Sequence, residues 1–363
     1  MSILGSLFGI KEAPINSYQD FWNWFCKNER CFYRSVKQHK DIEVDFFDKL
    51  SPKLEELKEG YYFVVGMMDD DRAELIFTAD GCVKNFVFIE ELVLAAPHMT
   101  HWKFTAHKPS LDIKDVQISI GDYEFSEENL HFYSNDLIDY PDEIDITVVY
   151  DHYNEKDKTV ITNGAYIFLD NLLGELDFAV KIDAVVVYDS SKGDKPLVPI
   201  SKLKDFINWR SKEFVEKYNG IRYDTVDDNF TVLRARLPSN KDLVATINAD
   251  LLNWDSKASH PWVIKAELQY GDNGLNGMPD EGTLSLLEDI ENDILSKLKD
   301  RNGYLFIGRQ TAEGVRVLYF CCKDFRKPAK VLHYIFQKYN NEIAIEYDLF
   351  KDKYWVSFNR FLV

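Results

Sequence analysis

Tyr270-Gly-Asp-Asn-Gly-Leu-Asn-Gly-Met-Pro-Asp-Glu-Gly-Thr283 is a Gly-rich loop lying between two segments of opposite periodicity. Before it, Trp262, Ile264, Ala266, Leu268 and Tyr270 alternate with Val263, Lys265, Glu267 and Gln269, the period of two expected of a half-buried strand. After it, Leu287, Ile290, Ile294 and Leu298 make a helical stripe that Asn302-Gly303 stops. Pro279 suits the first helical position, where its missing N–H is not needed. Asp280 and Glu281 then fall in the first turn, where the helix dipole favours negative charge.

Working outward, 304–310 and 315–322 are β-rich runs joined by the turn Thr311-Ala-Glu-Gly314, which predicts a hairpin. A second helix carries Val331, Leu332, Ile335, Phe336 and Tyr339 on one side, and a last strand alternates Ile343, Ile345 and Tyr347 with Ala344, Glu346 and Asp348. The order β-α-β-β-α-β is the ferredoxin-like pattern within an α+β fold. In it the first two strands run the same way with the third between them. The Gly-rich loop, the 310–314 turn and the Asn340-Asn341 link therefore emerge at one edge of the sheet.

A chain of 363 residues has room for two or three domains. Its 45% hydrophobic and 14% aromatic content marks a globular protein. Five cysteines without a CxxC pair, Cys26, Cys31, Cys82, Cys321 and Cys322, fit a reducing cytoplasm. The opening 1–10 is apolar but too short for a signal segment. Ile3, Leu4, Leu7 and Phe8 read as a terminal piece docked on the body, with a short amphipathic anchor as the alternative. No run approaches the roughly 18 apolar residues a membrane helix needs.

The net charge of −18 is uneven: residues 227–363 hold 18 Lys/Arg against 20 Asp/Glu, leaving 25 against 41 in residues 1–226. Such a field repels phosphates and argues against nucleic acid, while leaving a basic protein partner open. The domain boundary is expected in the polar stretch 219–229. The chain thus divides into 1–226, an acidic α+β region, and 227–363, the ferredoxin-like domain.

Within the first region the pattern predicts a helix opening at Ser17, a short strand at 32–38, a helix over 45–58, a hairpin around Asp69-Asp70-Asp71, a helix over 83–95 and a strand at 102–106. A possible ferredoxin-like unit near 31–107 follows, a weak internal duplication. A strand-rich part then covers 110–190, with strands near 116–123, 129–134 and 143–151, a helix over 158–173 and a strand over 178–188. A helix over 200–218 closes the region, and 230–237 with 243–251 are expected to add a hairpin to the C-terminal sheet.

Catalytic frameworks are not found: there is no Gly-x-Ser-x-Gly, no His-Glu-x-x-His and no spaced Cys/His set. The loop lacks a Gly-Lys-Ser/Thr, and its carboxylates would repel a phosphate. Asp272, Asn273, Asn276 and Asp280 lack the EF-hand spacing. His98, His101 and His107 are spread too far along a strand for one zinc ion unless the chain turns. Neither a metal nor a cofactor is therefore expected.

The convergent edge remains. Asn276, Asp280, Glu281, Arg309, Thr311 and Arg316 should face one rim, either binding a polar ligand or bracing a loop against a hairpin.

Residues from about 230 to 358 resemble an uncharacterised bacterial family, domain of unknown function 695. The likeness is carried by Trp262, Asn276-Gly-Met-Pro279, Gly308-Arg-Gln-Thr311, Gly314-Val-Arg316 and Trp355. The element order is also similar to that of the regulator of ribonuclease E activity B, an acidic protein that acts by binding another protein. Neither resemblance implies a reaction. The leading expectation is a non-enzymatic cytoplasmic protein that binds a protein partner as regulator or inhibitor. The alternative is an enzyme or small-ligand sensor at the rim.

Overall fold

The computed structural model describes residues 13–189, 195–272 and 275–362. Ile3, Leu4, Leu7, Phe8 and Asn273 lie outside them. The chain divides into two compact units, the first closing at Lys108 and the second opening at Pro109. The 219–229 stretch lies inside the second.

In the first unit Ser17 caps α1 (Tyr18–Gln38), its side chain accepting the Asp20 N–H. Phe21, Phe25, Phe32 and Val36 are separated by one or two helical turns and have no exposed surface. That stripe corrects the strand expected at 32–38. The aromatic and β-branched residues there suggested a strand, but their spacing continues the buried face of α1.

A π-helical turn, Glu43–Phe47, enters α2 (Asp48–Leu57). β1 (Tyr62–Met67) and β2 (Ala73–Thr78) form the expected antiparallel hairpin. α3 (Val83–Leu94) then crosses to β3 (Trp102–Ala106), which runs parallel to β2. The sheet is β1-β2-β3. With 32–38 helical, the unit near 31–107 lacks its first strand and does not repeat the C-terminal order.

The second unit begins with two short strands, β4 (Ile118–Ile120) and β5 (Tyr123–Phe125). Gly121 at φ +58° turns the chain between them, so the single strand expected over 116–123 is a hairpin instead. β6 (Leu130–Ser134), β7 (Asp145–Tyr150), α4 (Lys158–Leu173), α5 (Glu175–Lys181), β8 (Ala184–Asp189), β9 (Val198–Pro199) and α6 (Leu203–Lys217) follow. Their sheet is ordered β8-β7-β6-β9. The strand expected to start at Phe178 starts at Ala184. Residues 175–181 wind into α5 instead, where Lys181 reaches back one turn to Asp177 at 2.6 Å.

The rest of the unit is a six-stranded sheet: β10 (Phe230–Arg236), β11 (Asp242–Asn248), β12 (Trp262–Gln269), β13 (Tyr304–Ala312), β14 (Val315–Cys322) and β15 (Ala344–Lys351). A short α7 (Ala249–Leu252) precedes β12. The long helices are α8 (Glu281–Lys297) and α9 (Arg326–Tyr339). The strand order is β10-β11-β13-β14-β12-β15, with every neighbouring pair antiparallel. β12 and β13 therefore point the same way with β14 between them, and the β10–β11 hairpin extends the sheet as its sequence pattern suggested.

Alternation along the strands builds two cores. Ile247, Val263, Leu305, Ile307, Val317, Tyr319 and Cys321 pack with Trp355, Phe358 and Phe361 on one face. Residues of the other parity, such as Ile264, Leu318 and Phe320, are equally buried and serve the face of α8 and α9.

The registers Gln269↔Ala344, Gln269↔Val315 and Leu243↔Ala312 gather the Gly-rich loop, the hairpin turn, the α9–β15 link and the β10–β11 turn at one end of the sheet. The opposite end is marked by Trp262↔Lys351 and Trp262↔Cys322. Among the described residues no helix is long and apolar enough to cross a membrane.

Candidate functional site

At the loop end, backbone geometry comes first. Gly314 N–H donates to Gly277 O at 3.0 Å, and Tyr270 and Gly271 N–H both donate to Gly314 O. Gly277 and Gly314 have φ near +80°. A Cβ on Gly277 would stand 2.6 Å from Glu313 N, and one on Gly314 would stand 2.5 Å from Gly271 C. Gly277 and Gly314 let two turns clasp at backbone distance.

Side chains tighten the clasp. Lys241 pairs with Asp272 at 2.5 Å, Asn276 donates to Asp242 at 2.7 Å, and the Tyr270 hydroxyl donates to Gly277 O at 2.7 Å. Asp280 is the N-cap of α8, accepting the Thr283 N–H at 2.8 Å, and that hydrogen bond holds its carboxyl below the usual range. The helix thus starts two residues later than the sequence suggested, and Pro279 lies outside it because Asp280 takes the capping role. Glu281 is exposed.

The six predicted residues do not form one rim. Asn276, Asp280 and Glu281 stay in the loop. Arg309, Thr311 and Arg316 instead meet under α8 at Glu291, a carboxylate the loop argument did not foresee. Arg309 Nη1 donates to Glu291 Oε1 at 2.6 Å, Arg316 Nη1 stands 4.0 Å from Glu291 Oε2, and Arg316 Nε donates to Thr311 Oγ1 at 3.2 Å. Glu291 and Arg316 are each only 5% exposed. Burial and the neighbouring Arg309 both push the Arg316 guanidinium down.

A signal for Glu291 was present in the sequence. It lies one turn after Leu287 and one before Ile294, a charged residue in the core-facing stripe. Arg309 and Thr311 each make a hydrogen bond within the cluster, while Glu291 Oε2 and Arg316 Nη1, 4.0 Å apart, are buried without a hydrogen-bond partner among the described residues.

The histidines part company too. His98 is exposed, His101 stacks on Tyr33 with its Nδ1 3.0 Å from Asp71 O, and His107 is buried with Nε2 3.3 Å from Glu90 Oε1. Among the described residues no group of three or more His, Cys, Asp or Glu is placed to hold a metal ion.

What remains open is the first edge of the sheet. Among the described residues β10 pairs only with β11, and six of its seven residues are exposed. Phe230 is 45% and Val232 57% exposed. Beside it a groove of about 230 Å³ is lined by Thr231, Leu233, Ile247, Leu252, Phe361 and Leu362. The far edge, β15, differs: it buries Ile345 and Leu349 and turns Glu346 outward. Edge strands are commonly guarded by charge or proline. β10 has no proline, and its charges are Arg234 and Arg236. Nothing in its sequence marked it as an edge, because order within a sheet is not a local property.

Residues 226–363 match the model of Family of unknown function (DUF695). No curated protein and no solved structure matches the chain. The likeness to the regulator of ribonuclease E activity B therefore rests on element order alone.

Proposed function

We propose that the protein is a non-enzymatic cytoplasmic regulator or inhibitor that docks an extended segment of a partner protein along β10. The observation that supports this most is the seven-residue edge strand, six of its residues exposed, beside a groove of mixed polar and apolar lining. Strand addition draws its affinity from main-chain hydrogen bonds and its selectivity from pockets for alternate side chains. β10 offers both.

The ferredoxin-like reading of 262–351 belongs to the same proposal. Strand order β13-β14-β12-β15 with two crossing helices supports it, and the β10–β11 hairpin then appears as an addition that moves the free edge outward. Arg234 and Arg236 favour a carboxylate in the docked segment, while the acidic field of residues 1–226 favours a partner that is basic overall.

The test is affinity capture from a lysate of the protein's own source at two salt concentrations, using wild type and Val232→Lys. Val232 is mostly exposed, so the variant should keep its Tm. A stoichiometric partner held by wild type and lost from the variant supports the reading. A partner held equally by both, or none at all, overturns it. Light scattering separates a second copy of the chain from a foreign partner.

A further inference from the structure

The end of the six-stranded sheet opposite the clasp is built from groups far apart in sequence. Asp183, just before β8, takes Lys351 Nζ at 2.7 Å on one oxygen and Lys353 Nζ at 2.7 Å on the other. Its side chain is 8% exposed, against 12% for Lys351 and 3% for Lys353. Lys353 also donates to Asp142 O, and Lys351 to Lys181 O.

The nearby Asp142 carboxylate is already occupied, taking Lys217 at 2.8 Å and the hydroxyls of Tyr218 and Tyr354 at 2.6 and 2.8 Å. Glu143 acts on both lysines only at longer range, through its charge. Two ammonium groups thus share one close carboxylate in a poorly hydrated place, where unbalanced charge is costly.

These lysines form part of the wall of a cavity of about 320 Å³. The other walls are mainly apolar: Phe214 and Val215 from α6, Trp262 from β12, and Phe325 at the start of α9. Five of the fourteen lining residues are Lys or Arg and one is acidic, in a chain with 61 acidic and 43 basic residues. Asp324, the acidic one, is already engaged in accepting the N–H groups of Arg326 and Lys327.

From this geometry we infer that the cavity is a binding site for a small monocarboxylate with an apolar, aromatic-sized body. The carboxylate supplies the second close negative charge that Lys351 and Lys353 lack among the described residues, and the body packs among Trp262, Phe214 and Phe325, the last two already carrying the Lys353 ammonium and the Arg326 guanidinium on one ring face, each 4.5 Å from the centroid. A single charge fits better than a phosphate dianion, since Asp183 already balances one lysine. The ammonium of Lys351, pushed down to about 8 chiefly by burial, is held in its charged form more firmly once an anion arrives. The inference does not depend on β10, which lies at the first edge of the same sheet.

The probe is phenylpropionate, followed by calorimetry and by tryptophan fluorescence, with phenylpropanamide and phenylpropylamine as neutral and cationic counterparts. The carboxylate should bind at least about tenfold more tightly than the amide, the amine should not bind, and Lys351→Met should weaken the carboxylate by a similar factor. In case that variant fails to fold, Val215→Trp fills the mouth from a side chain that is 65% exposed, leaves the ion pairs untouched, and should abolish binding at unchanged Tm. Equal binding of amide and carboxylate would mean an apolar crevice only. No binding at millimolar carboxylate, or binding that survives Val215→Trp, would overturn the site.

Discussion

The two ends of the six-stranded sheet solve the same problem in opposite ways. At the clasp end, turns close on one another through backbone hydrogen bonds, and neighbouring loops are tied by the Lys241–Asp272 ion pair and the hydrogen bond from the Asn276 amide to Asp242. At the other end, charge comes from β15, from the approach to β8 and from the loop before β7, and it surrounds an open volume. A Gly-rich loop attracts a functional reading because glycine lets ligands approach backbone. Here the approaching group is another turn of the same chain. The contrast is that the end with a motif is closed by contacts of the chain with itself, and the end without one surrounds an open volume.

The sharpest way to break that contrast is at Asp183. Asp183→Asn leaves two buried lysines without their carboxylate and should cost about 3–5 kcal/mol in urea unfolding, the largest effect of any single charge removal in the sheet. If the variant is as stable as wild type, the open end is not electrostatically strained. Added phenylpropionate should restore part of the loss.

A second effect of about 2 kcal/mol should appear with acid. His260 precedes β12 at the open end, has no exposed surface, and its imidazole is pushed down to about 3 by burial, with Lys323 and Arg222 adding to the effect. Because the folded value lies below the unfolded value of 6.5, unfolding takes up a proton in that window. This contribution to stability is complete above pH 6.5 and is lost as the pH falls toward the folded value, by about 2 kcal/mol at pH 5. Urea titrations at pH 7 and 5 should show the drop, and His260→Asn should flatten it.

The smallest effect belongs to the clasp side. Arg309→Ala takes the hydrogen-bonded guanidinium from Glu291, a carboxylate only 5% exposed, and with Arg316 still 4.0 Å away should cost about 1–2 kcal/mol, read as a fall in Tm. A variant that keeps full stability but loses binding of a polar ligand would return the clasp end to a functional role.

Much of the C-terminal sheet was legible in the sequence because its strands alternate cleanly and its turns carry Gly at the required positions. The hairpin of Gly314 and the strand of Trp262 are local patterns, and local patterns survive translation into structure. Residues 32–38 were misread since aromatic content outweighed a helical spacing that began eleven residues earlier at Phe21. Arg309, Thr311 and Arg316 were rightly grouped, because strand pairing set Thr311 against Arg316. Their partner was misassigned: Asp280 is spent on capping α8 and Glu281 is exposed, and helical phase selects Glu291. Asp183 and Lys353 carried no signal at all. They are separated by 170 residues, and only the finished fold brings them within 2.7 Å.

That separation sets an order of events as well as a geometry. The Asp142 carbonyl and the Asp183 carboxylate are made early, and Lys353, which engages both, lies 211 and 170 residues later. Closing so long a loop carries an entropic cost that local contacts repay only after the intervening sheet has formed, the general reason why proteins rich in distant contacts fold slowly. During synthesis Asp183 therefore waits for its lysines, while the Asp142 carboxylate already has Lys217 and Tyr218 within reach. The last strand arrives as the keystone that locks both halves of the second unit at once.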